Sequence, residues 1–162
     1  MMAPRVFVIL DNIRSSENVG SIFRTSDAAG VSKIYLAGYT PAPLDKFKRK
    51  NAKLAKAALG AEDTVPWEAV SDLIPLISRL KKEGVTVVAI EQHSSARSYT
   101  EAAHDKPVAF VFGNEVEGIS EEVIRACDSV VEVPMSGGKE SLNVSVCAGI
   151  VLFNARDRKN SA

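Results

Sequence analysis

The feature that most constrains this chain is its alternation of short apolar runs with longer segments of helical period. VFVIL at 6–10 is apolar at every position, which suits a strand covered on both faces. KIYLA at 33–37, VTVVAI at 85–90, VAFVF at 108–112 and VVEV at 130–133 are further strand candidates. Segments of helical character lie between them. At 18–29, Val19, Ile22, Phe23 and Ser26 recur at helical spacing and Gly30 supplies a stop. At 72–83, Leu73, Ile74, Ile77 and Leu80 form one stripe, with Asp72 as N-cap, Pro75 in the first turn and Gly84 after the end. Residues 120–127 form a short helix opening on Ser-Glu-Glu. The last helix, 141–156, is apolar on nearly every face over 146–153, so it needs cover on several sides, from its own domain or a partner subunit. Strands alternating with helices imply the α/β class: an open, mostly parallel sheet with helices on both faces.

A length of 162 residues fits one domain, and 46% apolar residues suffice for a core. No apolar run approaches the roughly 20 residues of a membrane span. The N-terminal run, closed by Asp11, is too short for a secretory signal. Cys127 and Cys147 form neither a CxxC pair nor a disulfide framework, as expected of thiols in a reducing cytosol. The expectation is a cytoplasmic protein with no membrane contact.

Lys+Arg and Asp+Glu are equal at 20 each, so the total alone predicts no polyanion partner. The distribution says more. Residues 46–56 carry six cations (Lys46, Lys48, Arg49, Lys50, Lys53, Lys56) and no acid. On a helix, Lys46, Arg49 or Lys50, Lys53 and Lys56 share a face, which is either solvated or set against phosphates. Compensating acids sit at Glu115, Glu117, Glu121 and Glu122, so a zero sum hides a basic surface.

In α/β sheets ligands bind beyond the carboxyl ends of the strands, and three strand-end loops stand out. The first runs from Asp11 through Asn12, Arg14, Asn18 and Gly20 to Arg24-Thr25. Asn18 reads as a helix N-cap, or as a polar group offered to a ligand. Arg24 lies among apolar neighbours, and a semi-buried Arg needs a carboxylate or a phosphate. The second, Gly113-Asn114-Glu115-Val116-Glu117-Gly118, is a plain turn by its Gly and Asn, except that Glu115 puts a carboxylate at a strand end. The third spans Pro134-Met135 to Ser145, with Ser141 a further N-cap candidate. It does not match a phosphate-binding P-loop, because Glu140 follows Lys139 and position 133 is Val133 rather than glycine. No GxGxxG follows the first strand, and His93 and His104 stand far apart as loop residues, so no metal site is expected.

Taken in order, Asn18-x-Gly20-x-x-x-Arg24-Thr25, Phe112-Gly113-Asn114-Glu115-x-Glu117-Gly118 and Pro134-Met135 through Glu140-Ser141-Leu142-Asn143-Val144-Ser145 resemble the three signature motifs of the SpoU/TrmH branch of the SPOUT RNA methyltransferases. The resemblance covers residues 6–154 and implies a single methyltransferase domain over 1–162, without a separate RNA-binding domain. It implies methyl transfer from S-adenosylmethionine to a ribose 2′-hydroxyl of tRNA or rRNA, tRNA suiting a minimal domain slightly better. It also implies a deep C-terminal trefoil knot, which the general rarity of knots would have excluded, and a homodimer. By the same resemblance Asn18, Arg24, Glu115, Ser141 and Asn143 are the catalytic set. Ile90, Gly113, Asn114, Val133, Met135 and Leu142 are the cofactor contacts. Arg14, Arg24, Lys46, Arg49, Lys50, Lys53 and Lys56 are the RNA contacts. The rival from another class is a non-catalytic RNA-binding or assembly module that keeps the fold.

Overall fold

The computed structural model describes residues 4–102 and 105–161; His104 lies outside them. The order is β1 (Val6–Asp11), α1 (Ser16–Ala29), β2 (Lys33–Ala37), α2 (Ala52–Ala58), α3 (Ala61–Thr64), β3 (Trp67–Val70), α4 (Leu73–Lys82), β4 (Thr86–Ile90), β5 (Arg97–Ser98), a 3₁₀ turn (Tyr99–Glu101), β6 (Val108–Phe112), α5 (Glu121–Ala126), β7 (Ser129–Glu132) and α6 (Val144–Ser161). The sheet runs β3-β2-β1-β6-β4-β7-β5, and each neighbouring pair is parallel.

The apolar runs are strands because both sheet faces are covered. In register, Val8 lies beside Phe110 and Phe110 beside Val88; these face one core with Ile22, Phe23, Leu54, Val151 and Leu152 from α1, α2 and α6. The next residues, Ile9, Val111 and Ala89, face the other core with Leu76, Ile77 and Leu80 of α4 and Val123 of α5. Helices therefore flank the sheet on both faces, as the alternation predicts.

Helix ends follow local hydrogen bonding. Asp72 accepts from Ile74 N and caps α4, and Gly84 follows with a left-handed backbone, both as expected. Asn18 is not the cap of α1: Ser15 holds that place, its hydroxyl accepting from Asn18 N at 3.1 Å. Nor does Ser141 open the last helix. α6 starts at Val144 because Asn143 Oδ1 takes Ser145 N at 2.9 Å.

One further expectation is corrected. The basic segment is not one helical face. Lys46 to Lys50 lie in a loop shaped by Asp45 and by a left-handed Lys48, and only Lys53 and Lys56 sit on α2. Two strands, β3 and β5, were not anticipated. α6 buries Ala148, Val151, Leu152 and Ala155 against its own domain, but Val146 remains 51% exposed, so its far side is open.

Gly20 shows how closely α1 and α2 pack. A Cβ there would collide with the carbonyl oxygen of Leu54 and come within 2.8 Å of Ala57 Cβ. Gly20→Ala gains about 1 kcal/mol of helix propensity. Overpacking a backbone carbonyl that cannot swing aside costs about 1–3 kcal/mol. The variant is therefore expected to be less stable, and a urea midpoint equal to or above that of the native chain would refute this packing account.

Candidate active site

The carboxyl ends of β4, β6 and β7, with the starts of α1 and α6, surround a cavity of about 660 Å³. That size suits a small-molecule cofactor. It lies where ligands bind in open α/β sheets.

A polar relay holds the walls together. Glu115 follows β6 and accepts from Arg14 N at 2.9 Å, Ser15 N at 3.1 Å and Asn18 Nδ2 at 3.1 Å. Its carboxylate thus meets the amino end of α1, where unpaired N–H groups and the helix dipole favour negative charge. Asn18 Oδ1 in turn accepts from Asn143 Nδ2 at 3.1 Å, and Asn143 Oδ1 accepts from Ser145 Oγ at 2.6 Å. Loops separated by about a hundred residues are therefore joined through side chains. Burial pulls the Glu115 carboxyl upward, but the hydrogen bonds from Arg14 N, Ser15 N and Asn18 outweigh it and leave the pKa below its ordinary value.

The sequence-predicted groups divide as follows. Asn18, Glu115, Ser141 and Asn143 line the cavity, as do Ile90, Gly113, Asn114, Val133, Met135 and Leu142. The side chain of Asn114 is fully used by the protein. Its amide donates to Asn12 O and Tyr39 Oη at 2.9 and 2.8 Å, and its oxygen accepts from Val116 N and Glu117 N, both at 2.9 Å. It shapes the loop and leaves backbone to face the cavity. Gly113 is close-packed: a Cβ would come within 2.6 Å of both Gly118 C and Ile119 Cγ1. Ser141 is exposed, and its hydroxyl has no partner among the described residues.

Arg24 departs from the sequence reading. It is exposed, pairs with no carboxylate among the described residues, and does not line the cavity. The phosphate alternative is the one left open. Arg14 offers its backbone N–H to Glu115 and leaves its side chain exposed. Lys46, Arg49, Lys50, Lys53 and Lys56 are exposed and also stand outside the cavity.

Sequence reasoning missed Glu91. Its carboxylate accepts from Gln92 N and Ile119 N, both at 2.9 Å, tying the end of β4 to the loop after β6. It follows Ile90, the last residue of a buried strand, so the strand-end rule that found Glu115 applies equally to it. Cys147 also lines the cavity, but burial, with Glu91 adding to it, pushes its thiol up to about 11. It stays protonated near neutral pH and is no nucleophile there.

Because the pKa of Glu115 is depressed on folding, its contribution to stability is full above the unfolded value and is lost as pH falls through the folded one. Glu115→Gln should melt below the native chain at neutral pH, with the gap shrinking in acid. Parallel melting curves from pH 7 down to pH 3 would remove Glu115 from this role.

The family model described as the SpoU rRNA Methylase family matches residues 5–153. The 23S rRNA (guanosine-2′-O-)-methyltransferase RlmB of Ralstonia nicotianae is 36% identical over 152 residues, covering 94% of this chain and 58% of that protein. The protein of the same name from Neisseria meningitidis is 36% identical over 156 residues, 96% of this chain and 60% of its own length. The chain thus spans about three fifths of these relatives. Among solved structures, an AdoMet-bound rRNA methyltransferase from Sinorhizobium meliloti superposes with a TM-score of 0.86 at 30% identity, over 97% of this chain and 57% of that one. A TrmH/SpoU tRNA modifying enzyme from A. aeolicus gives 0.85 at 29% identity, over 98% and 79%. With the three loops gathered around one cavity and the family model matched over nearly its whole length, this chain belongs to the SpoU rRNA methylase family.

Proposed function

We propose that this chain transfers the methyl group of S-adenosylmethionine to a ribose 2′-hydroxyl of RNA. The observation that carries the reading is the Asn143–Asn18–Glu115 relay at the mouth of a cofactor-sized cavity. The cavity residues fit that cofactor by their charge. Glu91, Glu115, Glu117, Glu132 and Glu140 line it, and no Lys, Arg or His among the described residues does. Such a lining favours a ligand bearing a sulfonium and an ammonium group over an anionic nucleotide. Ile90, Val133, Met135 and Leu142 supply apolar surface for its other parts. When bound, S-adenosylmethionine supplies the methyl group on a good leaving sulfur.

The protein's part is alignment, and the proton that the hydroxyl loses as the methyl is transferred passes to solvent at the exposed rim beside Ser141. The ribose oxygen must lie in line with the methyl carbon at roughly 3 Å, and such positioning supplies several kcal/mol of the barrier. Asn18 is locked to Glu115 and Asn143 to Asn18, so their remaining hydrogen-bonding capacity points in fixed directions. Ser141, with a free hydroxyl at the rim, accepts or donates to the ribose. Glu115 is an anchor: its oxygens already hold Arg14 N, Ser15 N and Asn18 Nδ2. Arg24 pairs with a phosphate of the bound RNA and steers its sugar, since a guanidinium is a poor base near neutral pH.

The names of the relatives support rRNA as the substrate class, which turns the slight preference for tRNA toward rRNA. The domain takes RNA on its own surface, with the Lys46–Lys56 cations outside the cavity available to phosphates. The trefoil knot belongs to this reading, carried by the segment from β7 through 133–143 to α6. So does the homodimer, supported by the open side of α6 around Val146. No helix among the described residues is long and apolar enough to cross a membrane.

Tritiated methyl transfer to total rRNA and total tRNA, followed by mapping of the labelled nucleotide, tests the activity. Calorimetry with S-adenosylmethionine separates it from a binding module that keeps only the fold. Arg24→Lys is expected to lower turnover by on the order of a hundredfold while cofactor affinity holds, because a point charge does not replace a forked donor. Native turnover in the folded variant would remove Arg24 from the reaction. Val146→Glu is expected to shift sedimentation toward monomer, and an unchanged sedimentation coefficient would place any dimer contact elsewhere.

A further inference from the structure

We infer that Phe47 is a stacking platform for an unpaired base of the RNA, held beside the cavity by a preorganised loop. The inference deepens the RNA reading above and rests on it. The loop runs from the end of β2 to the start of α2, and both its ends are bonded to segments that build the site. Near its start, Tyr39 Oη accepts from Asn114 Nδ2 at 2.8 Å. At its end, Asn51 Nδ2 donates to Ser16 Oγ at 3.0 Å, next to the Arg14 and Ser15 amides that hold Glu115. RNA that places a sugar at the Asn18–Glu115 relay therefore passes close to this loop.

The loop is stiff where it matters. The Asp45 carboxylate accepts from Phe47 N at 2.8 Å, Arg49 N at 3.0 Å and Arg49 Nε at 2.7 Å. Lys48 N donates to Asp45 O at 2.9 Å, and Asp45 N to Arg49 O at 3.0 Å. Lys48 takes a left-handed backbone with φ 61°, which a side chain adopts only where its surroundings impose it. An antiparallel bridge between Leu44 and Lys50 closes the base. Little freedom remains to be lost on binding.

On this stiff frame the Phe47 ring is left 65% exposed. Lys46 Nζ and Arg49 Cζ each lie 5.1 Å from its centroid. Lys48 and Lys50 complete four cations against the single acid Asp45 over residues 44–50. A protein-docking patch is depleted of lysine. An exposed ring set among cations is the pattern that receives a base on the ring and its phosphates on the cations. Cations alone would serve a duplex backbone as well; the ring adds a preference for single strands.

Fluorescence anisotropy of the full chain with two probes tests this: a 12-nucleotide single-stranded oligoadenylate and a 12-base-pair RNA duplex. Phe47→Ala is expected to weaken oligoadenylate binding about tenfold, leaving duplex affinity and the salt slope unchanged. Phe47→Trp should restore it, and Phe47→Leu, which keeps apolar bulk without a ring, should not. Lys50→Glu with Lys53→Glu should weaken both probes and flatten the salt slope. Native oligoadenylate affinity in folded Phe47→Ala overturns the inference and leaves the RNA reading standing. So does an equal loss on both probes. A changed sedimentation coefficient with RNA affinity intact overturns it too, and assigns the ring to a protein interface. A native chain that holds S-adenosylmethionine but binds neither probe overturns the RNA reading itself, and this inference with it.

Discussion

The site depends on one carboxylate finding the amino end of one helix. Glu115 leaves β6 and α1 leaves β1, and these two strands are neighbours in the sheet. The sheet brings the loop and the helix end together, and the carboxylate then accepts the backbone N–H groups of Arg14 and Ser15, the two residues that lead into α1. Asn18, one turn into the helix, is turned toward the same oxygen and passes the constraint on to Asn143 at the start of α6. A side chain that works only if three distant segments are in place makes the geometry of the cavity mouth a consequence of the whole fold.

Charge is sorted by location rather than by amount. The cavity is lined by carboxylates and, among the described residues, by no cation, while the loop between β2 and α2 carries four cations against one acid. A hydrogen bond from Asn114 Nδ2 to Tyr39 Oη joins the two regions. Equal numbers of acids and bases thus yield two adjoining surfaces of opposite sign, one suited to a cationic methyl donor and the other to a polyanion.

The buried centre of the fold was legible from residues alone, and its margins were not. β1, β6 and β4 are covered on both faces, so a run of at least four consecutive apolar residues marks each of them. β3 reads WEAV and is only partly buried, and β5 has two residues, so neither leaves a hydrophobic signature. The segment 46–56 looked helical because cation spacing carries no information about Asp45, whose carboxylate folds the chain back on itself. Ser15 took the cap that Asn18 was expected to fill, which frees the Asn18 amide for Glu115. Single loops were weak signals; the order of the three motifs pointed to one site. Arg24 could not be located from its apolar neighbours, because those neighbours turn inward and leave it outside.

The strand order has a consequence for how the molecule is made. β1, β2 and β3 are adjacent in both chain and space and can pair as soon as they are synthesised. β4 cannot join them, because its place is beside β6, which is completed only at Phe112. During that interval a nascent chain on the ribosome carries an apolar strand with no neighbour, a species prone to self-association. β7 and α6 come late in this sequence and supply part of the cavity wall, so the pocket is closed only after both have been synthesised and have found their places.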